Sequence, residues 1–504
     1  MTQSNDNFAA ALAAVAAARA DRDCLIFDTG TAWRFGDLEA QAGRMAAVLA
    51  ANGVEPGDRV LVQTGKSAAA VALYLGCLRL GAVYVPLNTA YTDAEVGYFV
   101  GDAEPAVVVR SPDRALPESA AAIRLLTLDD AGEHCTLLEQ AAAAAPRGAI
   151  EPRQASDLAA IVYTSGTTGR SKGAMLSHRN LESSARVLLD AWGWRDDDVL
   201  LHALPIFHVH GLFVALHCAL LSGTPMIFLP RFDAAKVAAL LPKATVLMGV
   251  PTFYTRLLEQ AELDRERCRS MRLFVSGSAP LTEQTFAAWE ARTGHRILER
   301  YGMSETMMNT SNPLNGERVA GTVGFPLPGV EVRIADGDGR ELPRGEVGMI
   351  EVRGPNVCSG YWQMPEKTAE EFRADGYFIT GDLARMDDAG RVTIVGRGKD
   401  LVISGGFNVY PKEIERLLDE LPGVAESAVI GVPHPDFGEA VVAVLVTDRA
   451  GLDTAAVQAA LTDQLARFKL PKAVMRVDSL PRNAMGKVQK NVLREQFAEL
   501  FQSR

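Results

Sequence analysis

At 504 residues, 48% hydrophobic and 22% charged, the chain has a globular composition and is too long for one ordinary core. Its net charge of −11 argues against nucleic acid, which selects a basic surface, yet leaves room for a local cationic pocket that takes an anion. Six cysteines fall at no metal-like spacing, no window nears about 18 uninterrupted apolar residues, and the N-terminus has no basic flank before an apolar core. The expectation is reduced, inert thiols in a cytoplasmic protein with no membrane partner.

Up to about residue 155, apolar helical runs alternate with strand-like runs. MAAVLAANGVEPGDRVLVQT reads as helix, glycine turn and strand, and AAAVALYLGCLRLGAVYVPL repeats the theme. This alternation predicts an α/β sheet with helices on its faces. Residues 141–156 read as a connector. The α/β style continues from 156, then gives way to short strands punctuated by Gly, Pro and Asp, as in VRIADGDGRELPRGEVGMIEVRG. Near residue 397 the character changes again. In PKEIERLLDELPGV, Ile414, Leu417, Leu418 and Leu421 share one helical face. AESAVIGVP and EAVVAVLVTD read as strands, and AAVQAALTDQLARF as a second amphipathic helix. These make an α+β unit of about 105 residues, large enough to fold alone.

The densest chemistry follows DLAAIVY, a buried strand by composition. Between Tyr163 and Gly173 lie six hydroxyl side chains, three glycines and two basic residues, Arg170 and Lys172. Glycine lets backbone N–H groups close on a phosphate, and clustered N–H groups make an anion nest. Ser165, Thr167, Thr168 and Ser171 add hydroxyl donors. The spacing is not that of a Walker A loop, because Lys172 precedes Gly173 instead of following a glycine. Beyond the loop, AMLSH leads to a helix over NLESSARVLLDAW, with Ser177 as its N-cap.

SGTTGRSKG resembles the phosphate loop of the adenylate-forming superfamily, which comprises acyl-CoA synthetases, luciferases and peptide-synthetase adenylation domains. LPIFHVHG (204–211), VSGSAPL (275–281), RYGMSET (300–306), ITGDLA (379–384), GRGKDLVISGGFNVYPKEIE (396–415) and PRNAMGKVQK (481–490) resemble its later motifs, in order and over nearly the whole chain. Within the superfamily the chain looks most like the malonyl-CoA synthetases, through FHVHGLF, RYGMSETMMN and LPRNAMGKVQKNVLR. The fold so implied is a large α/β N-terminal domain (1–398), of layered α/β subdomains plus a β-rich subdomain, and a small mobile α+β C-terminal domain (399–504). The reaction implied joins malonate, with methylmalonate open, to coenzyme A by way of an acyl-adenylate, releasing AMP and pyrophosphate.

The resemblance implies a role for each motif. Thr164, Ser165, Gly166, Thr167, Thr168, Gly169 and Lys172 would cradle the ATP phosphates. Tyr301 would stack on adenine, with Glu299, Arg300, Gly302, Met303, Ser278 and Ala279 around the nucleotide, and Ser304 would bond the α-phosphate. Glu305, helped by Thr167, would hold Mg²⁺; a carboxylate favoured at a helix start is the plainer reading. Asp382, a turn residue by its neighbours alone, would accept the ribose hydroxyls, and Arg397 would reach ribose or phosphate. Lys487, in isolation a solvated charge, would bridge the attacking carboxylate and the α-phosphate. A lysine acetyltransferase and deacetylase acting there would be partners, since acetylation removes the charge. Lys399 would be the hinge, and Gly405 and Gly406 would admit the pantetheine arm or simply form a turn.

A dicarboxylate needs a cation for its second charge. Arg231, just after the apolar run TPMIFL, is the sequence candidate, with a surface pair to Asp233 as the alternative. His208 is placed by the resemblance beside the acyl pocket, and His208 and His210 would share a face if FHVHG were a strand. Ser276, Ser278, Met303 and Met307 are further pocket candidates. The rival readings are a synthetase for another short-chain or aromatic acid and, from a different class, an ADP-forming kinase or NTPase.

Overall fold

The computed structural model describes residues 5–116, 123–129, 135–164, 171–404, 407–449, 451–483 and 486–501. Four sheets organise them. A six-stranded sheet takes Arg124–Thr127, Val107–Arg110, Arg59–Gln63, Val83–Pro86, Leu158–Thr164 and Lys172–Ser177 in that spatial order. Its pairings are parallel except the last, where Leu158–Thr164 and Lys172–Ser177 run antiparallel. The two strands that flank residues 165–171 are therefore paired with each other, and AMLS is part of a strand, not only a lead into the helix.

A nine-stranded sheet supplies the second layer. At its centre Leu200–His202, Val246–Gly249, Leu273–Ser276 and Leu298–Tyr301 run parallel, so their carboxyl ends share one edge. Asp23–Ile26, from the first segment of the chain, pairs antiparallel with its neighbour Ala32–Arg34 and parallel with the distant Met226–Phe228, which joins both to this sheet. Between the layers lies Ala68–Leu80, a helix buried on every side. Its composition is apolar all round, as a doubly covered helix requires. Ser67 caps its first turn by accepting from the Ala70 amide, and Gly81 ends it in the left-handed region.

The β-rich segment forms a four-stranded antiparallel sheet of Glu331–Ala335, Gly348–Arg353, Phe378–Met386 and Val392–Arg397. A 3₁₀ turn at Gly398–Asp400 leads into the small C-terminal sheet, where Val424–His434 and Gly438–Thr447 form the long central hairpin. The helix Pro411–Asp419 buries Ile414, Leu417 and Leu418 against that sheet. The second helix, Thr454–Leu461, stops short of the ARF end of its sequence pattern, which becomes a 3₁₀ turn at Arg467–Lys469. All six cysteines are free and buried. Among the described residues no helix is long and apolar enough to cross a membrane.

Candidate active site

The functional side chains gather at the carboxyl ends of the central parallel strands, where the β-rich and C-terminal units meet them. Asp382 is not a turn residue but lies inside a strand, facing Arg397 across the ladder. Gly381 beside it has φ +74°, and the ladder shifts register between Leu383 and Ala384. Asp382 Oδ1 takes Arg397 Nε at 2.7 Å, and Oδ2 accepts from the Tyr301 hydroxyl at 2.5 Å. The carboxylate is 4% exposed, so two positive or polar donors offset its burial. Arg397 is held above its ordinary pKa chiefly by that charge, and Tyr301 is pushed up by burial and by Asp382.

Glu305 lies in a turn after Tyr301, not at the start of a helix. Its backbone oxygen accepts from the Cys358 amide at 2.7 Å, and Oε1 accepts from the Tyr361 hydroxyl at 3.2 Å. Burial pushes its pKa up, while Lys172 and Arg397 oppose that. A buried carboxylate with Lys172 and Arg397 as its cationic neighbours has the chemistry to share a hard divalent ion with phosphate oxygens. Among the described residues no three His, Cys, Asp or Glu side chains gather into a metal-binding group.

Lys487 is carried by a tight hairpin. The Gly486 amide donates to the Asn483 carbonyl, Asn483 Oδ1 accepts from the Lys487 amide at 3.0 Å, and Arg482 bridges to Val488. Gly486 has φ +73° and packs near Thr252 of the large domain. Lys487 is exposed as a residue, yet protein surroundings lower its pKa, first by desolvation and then by Arg397; Asp382, Glu305 and Arg300 are its other charged neighbours. It also faces His208, which burial and that charge push down to about 3, so the imidazole is neutral. Lys399 sits exposed in the turn between the sheets, where partial desolvation lowers its pKa.

FHVHG is not a strand: a π-helix runs over His210–Leu216, so His208 and His210 are set by a turn and a helix start. His210 is buried, its pKa driven far down by burial and by Arg300. Its Nδ1 meets Ser278 Oγ at 3.2 Å, and Ser278 holds a left-handed φ of +71° to reach it. Arg300 lies on the same buried strand as Glu299 and Tyr301 and is 3% exposed. Its Nε and Nη2, His210 Nε2 and Ser276 Oγ are buried with no hydrogen-bond partner. A Cβ at Gly277 would lie 2.6–2.7 Å from the Arg300 guanidinium, so glycine there makes the room. Burial alone lowers Arg300, to about 10. A guanidinium buried without an anion is costly and is poised to receive one.

Arg231 differs in every respect. It is exposed, just after Met226–Phe228, and makes no ion pair among the described residues. Nor is Asp233 its partner: Asp233 caps the helix Ala234–Leu240, accepting from the Lys236 amide at 2.9 Å. Glu299 points away from the cation, toward the Leu281 amide, and burial raises its pKa to about 8. Thr164 ends its strand beside Lys172, with its hydroxyl 3.4 Å from the Lys172 carbonyl. Gly302 lies where a Cβ would strike the Met307 carbonyl. Met303 and Ser304 are half-buried in the turn before Glu305, and Ala279 in the loop after Ser278. Ser165, Gly166, Thr167, Thr168, Gly169, Gly405 and Gly406 lie outside the described residues.

Two residues of the site went unnoticed in the sequence, Tyr361 and Glu371, and Arg300 was noticed only as a neighbour of the nucleotide. An arginine inside the otherwise buried strand LERY was the available signal.

The chain matches the model of the AMP-binding enzyme family over residues 12–362 and that of the AMP-binding enzyme C-terminal domain over 413–487. It is 37% identical to a malonate–CoA ligase of Arabidopsis thaliana, covering 87% of this chain and 78% of that one. The ATP-bound structure of MatB from Rhodopseudomonas palustris is 55% identical and superposes with a TM-score of 0.95 over 99% of this chain and all of the other. The apo form of the same protein, over the same coverage and at the same identity, gives 0.85.

Proposed function

The chain belongs to the AMP-binding enzyme family, and from that premise we propose that it joins malonate to coenzyme A through a malonyl-adenylate. The observation that carries the choice of acid is the buried Arg300 guanidinium, with two N–H groups unpartnered beside His210 and Ser276. A monocarboxylate would leave that charge uncompensated, whereas the second carboxylate of malonate pairs with it. This role moves from Arg231 to Arg300 because Arg231 already has water. Neutral His208 and His210 keep the rest of the pocket short and add donors without adding charge. The related malonate–CoA ligase agrees with this reading. Methylmalonate, one methyl larger, remains within the proposed substrate class.

In the first step a carboxylate oxygen of malonate attacks the α-phosphorus of ATP, and the bond to pyrophosphate breaks. Both partners are anions, so the protein must lower their repulsion. Lys487, with Glu305, Asp382 and His208 as neighbours, would lie between carboxylate and α-phosphate. Asp382 and Arg397 orient the ribose end, and Tyr301 presents its ring to the base. Lys172 and the 165–170 loop hold the β- and γ-phosphates. Glu305, with Thr167, would hold Mg²⁺, which when bound neutralises phosphate charge. In the second step the thiol of coenzyme A loses its proton, its sulfur attacks the acyl carbon, and AMP leaves. The proposal includes rotation of the C-terminal unit about a boundary near Lys399, which withdraws Lys487 and brings Gly405 and Gly406 to the cleft. A cytoplasmic setting and modification of Lys487 by acetylation are parts of the same proposal.

The test is nucleotide release from purified protein with ATP, Mg²⁺, coenzyme A and one of malonate, methylmalonate, acetate or benzoate. AMP with malonate far above acetate is the expected result. AMP with acetate or benzoate instead would remove Arg300 as the selector, and ADP would overturn the adenylation reading.

A further inference from the structure

The segment around Tyr361 links two parts of the nucleotide site that lie far apart in sequence. On one side it docks on the strand after the phosphate loop: the Met175 amide donates to the Gly360 carbonyl at 3.0 Å, and the Trp362 amide to Gly173 at 2.8 Å. On the other, the Cys358 amide holds the Glu305 carbonyl. The short helix Pro365–Glu371 completes the link, because Thr368 Oγ1 accepts from the Tyr361 amide and Glu371 ends the helix against the ring.

The side chains repeat this linkage. Lys172 Nζ lies 2.6 Å from Glu371 Oε1 and 4.2 Å from the centre of the Tyr361 ring. The Tyr361 hydroxyl shares its one proton between Glu371 Oε2, at 2.5 Å, and Glu305 Oε1, at 3.2 Å. Tyr361 is 2% exposed and Glu305 6%, so the phenol is held by packing and in turn fixes the carboxylate. A buried carboxylate with no such donor would be free to rotate away from a cation, and the hold of a ligand depends on the groups that orient it.

We propose that Tyr361 is a positioning residue that aims Glu305 at the nucleotide's divalent cation, with Glu371 anchoring both the phenol and Lys172, so that metal capture and phosphate capture share one support. This rests on the adenylation reading. The phenol touches neither substrate nor metal; it acts through Glu305.

The experiment is calorimetric titration of wild type and Tyr361→Phe with the α,β-methylene analogue of ATP, at stepped Mg²⁺ concentrations and in excess EDTA. The expected result is about tenfold more Mg²⁺ for half-maximal nucleotide affinity in the variant, the effect of losing one hydrogen bond to a charged group. Affinity in EDTA should stay within about twofold, because the nucleotide contacts themselves are intact. Equal Mg²⁺ midpoints, or a loss in EDTA as large as that in Mg²⁺, would reduce Tyr361 to a support of the fold and overturn the proposal. Glu371→Gln, which keeps the shape but weakens the phenol's anchor, should shift the Mg²⁺ midpoint in the same direction by about threefold; it serves alone should Tyr361→Phe not fold. If wild type itself binds no nucleotide with Mg²⁺, the adenylation reading fails and this inference with it. If wild type binds and neither variant shifts, only the inference fails.

Discussion

Arg397 Nε and Asp382 Oδ1 lie 2.7 Å apart as facing residues of two antiparallel strands, and the Tyr301 hydroxyl closes on the other oxygen of the same carboxylate. Two sheets thus fix three candidate nucleotide contacts before any nucleotide arrives: the four-stranded sheet carries Asp382 and Arg397, and the nine-stranded sheet carries Tyr301. Removing Asp382 leaves Arg397 without its counter-charge and Tyr301 without its acceptor. Asp382→Ala should lower kcat/KM for ATP by at least about 100-fold, since breaking a buried charged pair costs about 3–5 kcal/mol. A loss under about threefold, measured by AMP release, would show that the carboxylate is not at the ribose.

Arg300 and Arg231 separate on acid selectivity. Arg300→Met should reduce kcat/KM for malonate by about 10²- to 10³-fold while sparing or raising activity on acetate or propionate, because the uncompensated cation is gone. Arg231→Ala should change both acids less than about threefold, as expected for a solvated surface charge. Gly277→Ala, which puts a Cβ into the Arg300 guanidinium, should raise the KM for malonate without a matching rise for ATP. The opposite ranking of the two arginines would return the selector role to Arg231.

Lys487 bears on one half-reaction. Lys487→Ala should cut malonate-dependent ATP–pyrophosphate exchange by about 10³-fold or more, while thioester formation from supplied malonyl-adenylate stays within a few-fold. Equal losses in both would show that the lysine serves the whole cleft, not the adenylation geometry alone.

Glu299 predicts a pH signature in stability. Burial raises its folded pKa from 4.5 to about 8, against the opposing pull of the Leu281 amide and the Lys412 charge. Between those values the unfolded chain has released the proton and the folded chain retains it, so the contribution of this group to stability falls as pH rises. Glu299→Gln keeps the neutral form at every pH. Its melting temperature relative to wild type should therefore rise steadily from about pH 5 to about pH 8. A constant difference across that range would place the ionised carboxylate in the folded state.

Local sequence settled much of this protein. Apolar composition marked the 68–80 helix and the 158–164 strand, and apolar periodicity marked the Ile414 face of the 411–419 helix, because each depends only on near neighbours in sequence. Motif order placed Tyr301, Glu305, Asp382 and Lys487, and the fold brings their side chains into one cleft. What local pattern could not decide was anything set by long-range pairing. Asp23–Ile26 pairs with a strand near residue 226 as well as with its neighbour Ala32–Arg34, and His208 and His210 lie in a turn and a π-helix start, not on a strand. The choice between two arginines is of the same kind. Arg231 and Arg300 carry identical side chains, and only packing leaves one in water and the other buried with two donors unmet. Tyr361 met Glu305, Glu371 and Lys172 only when strand, turn and helix were assembled. Sequence determines which chemical groups are present and their local order; tertiary structure decides which of them lose water, and desolvation is what makes a charge selective.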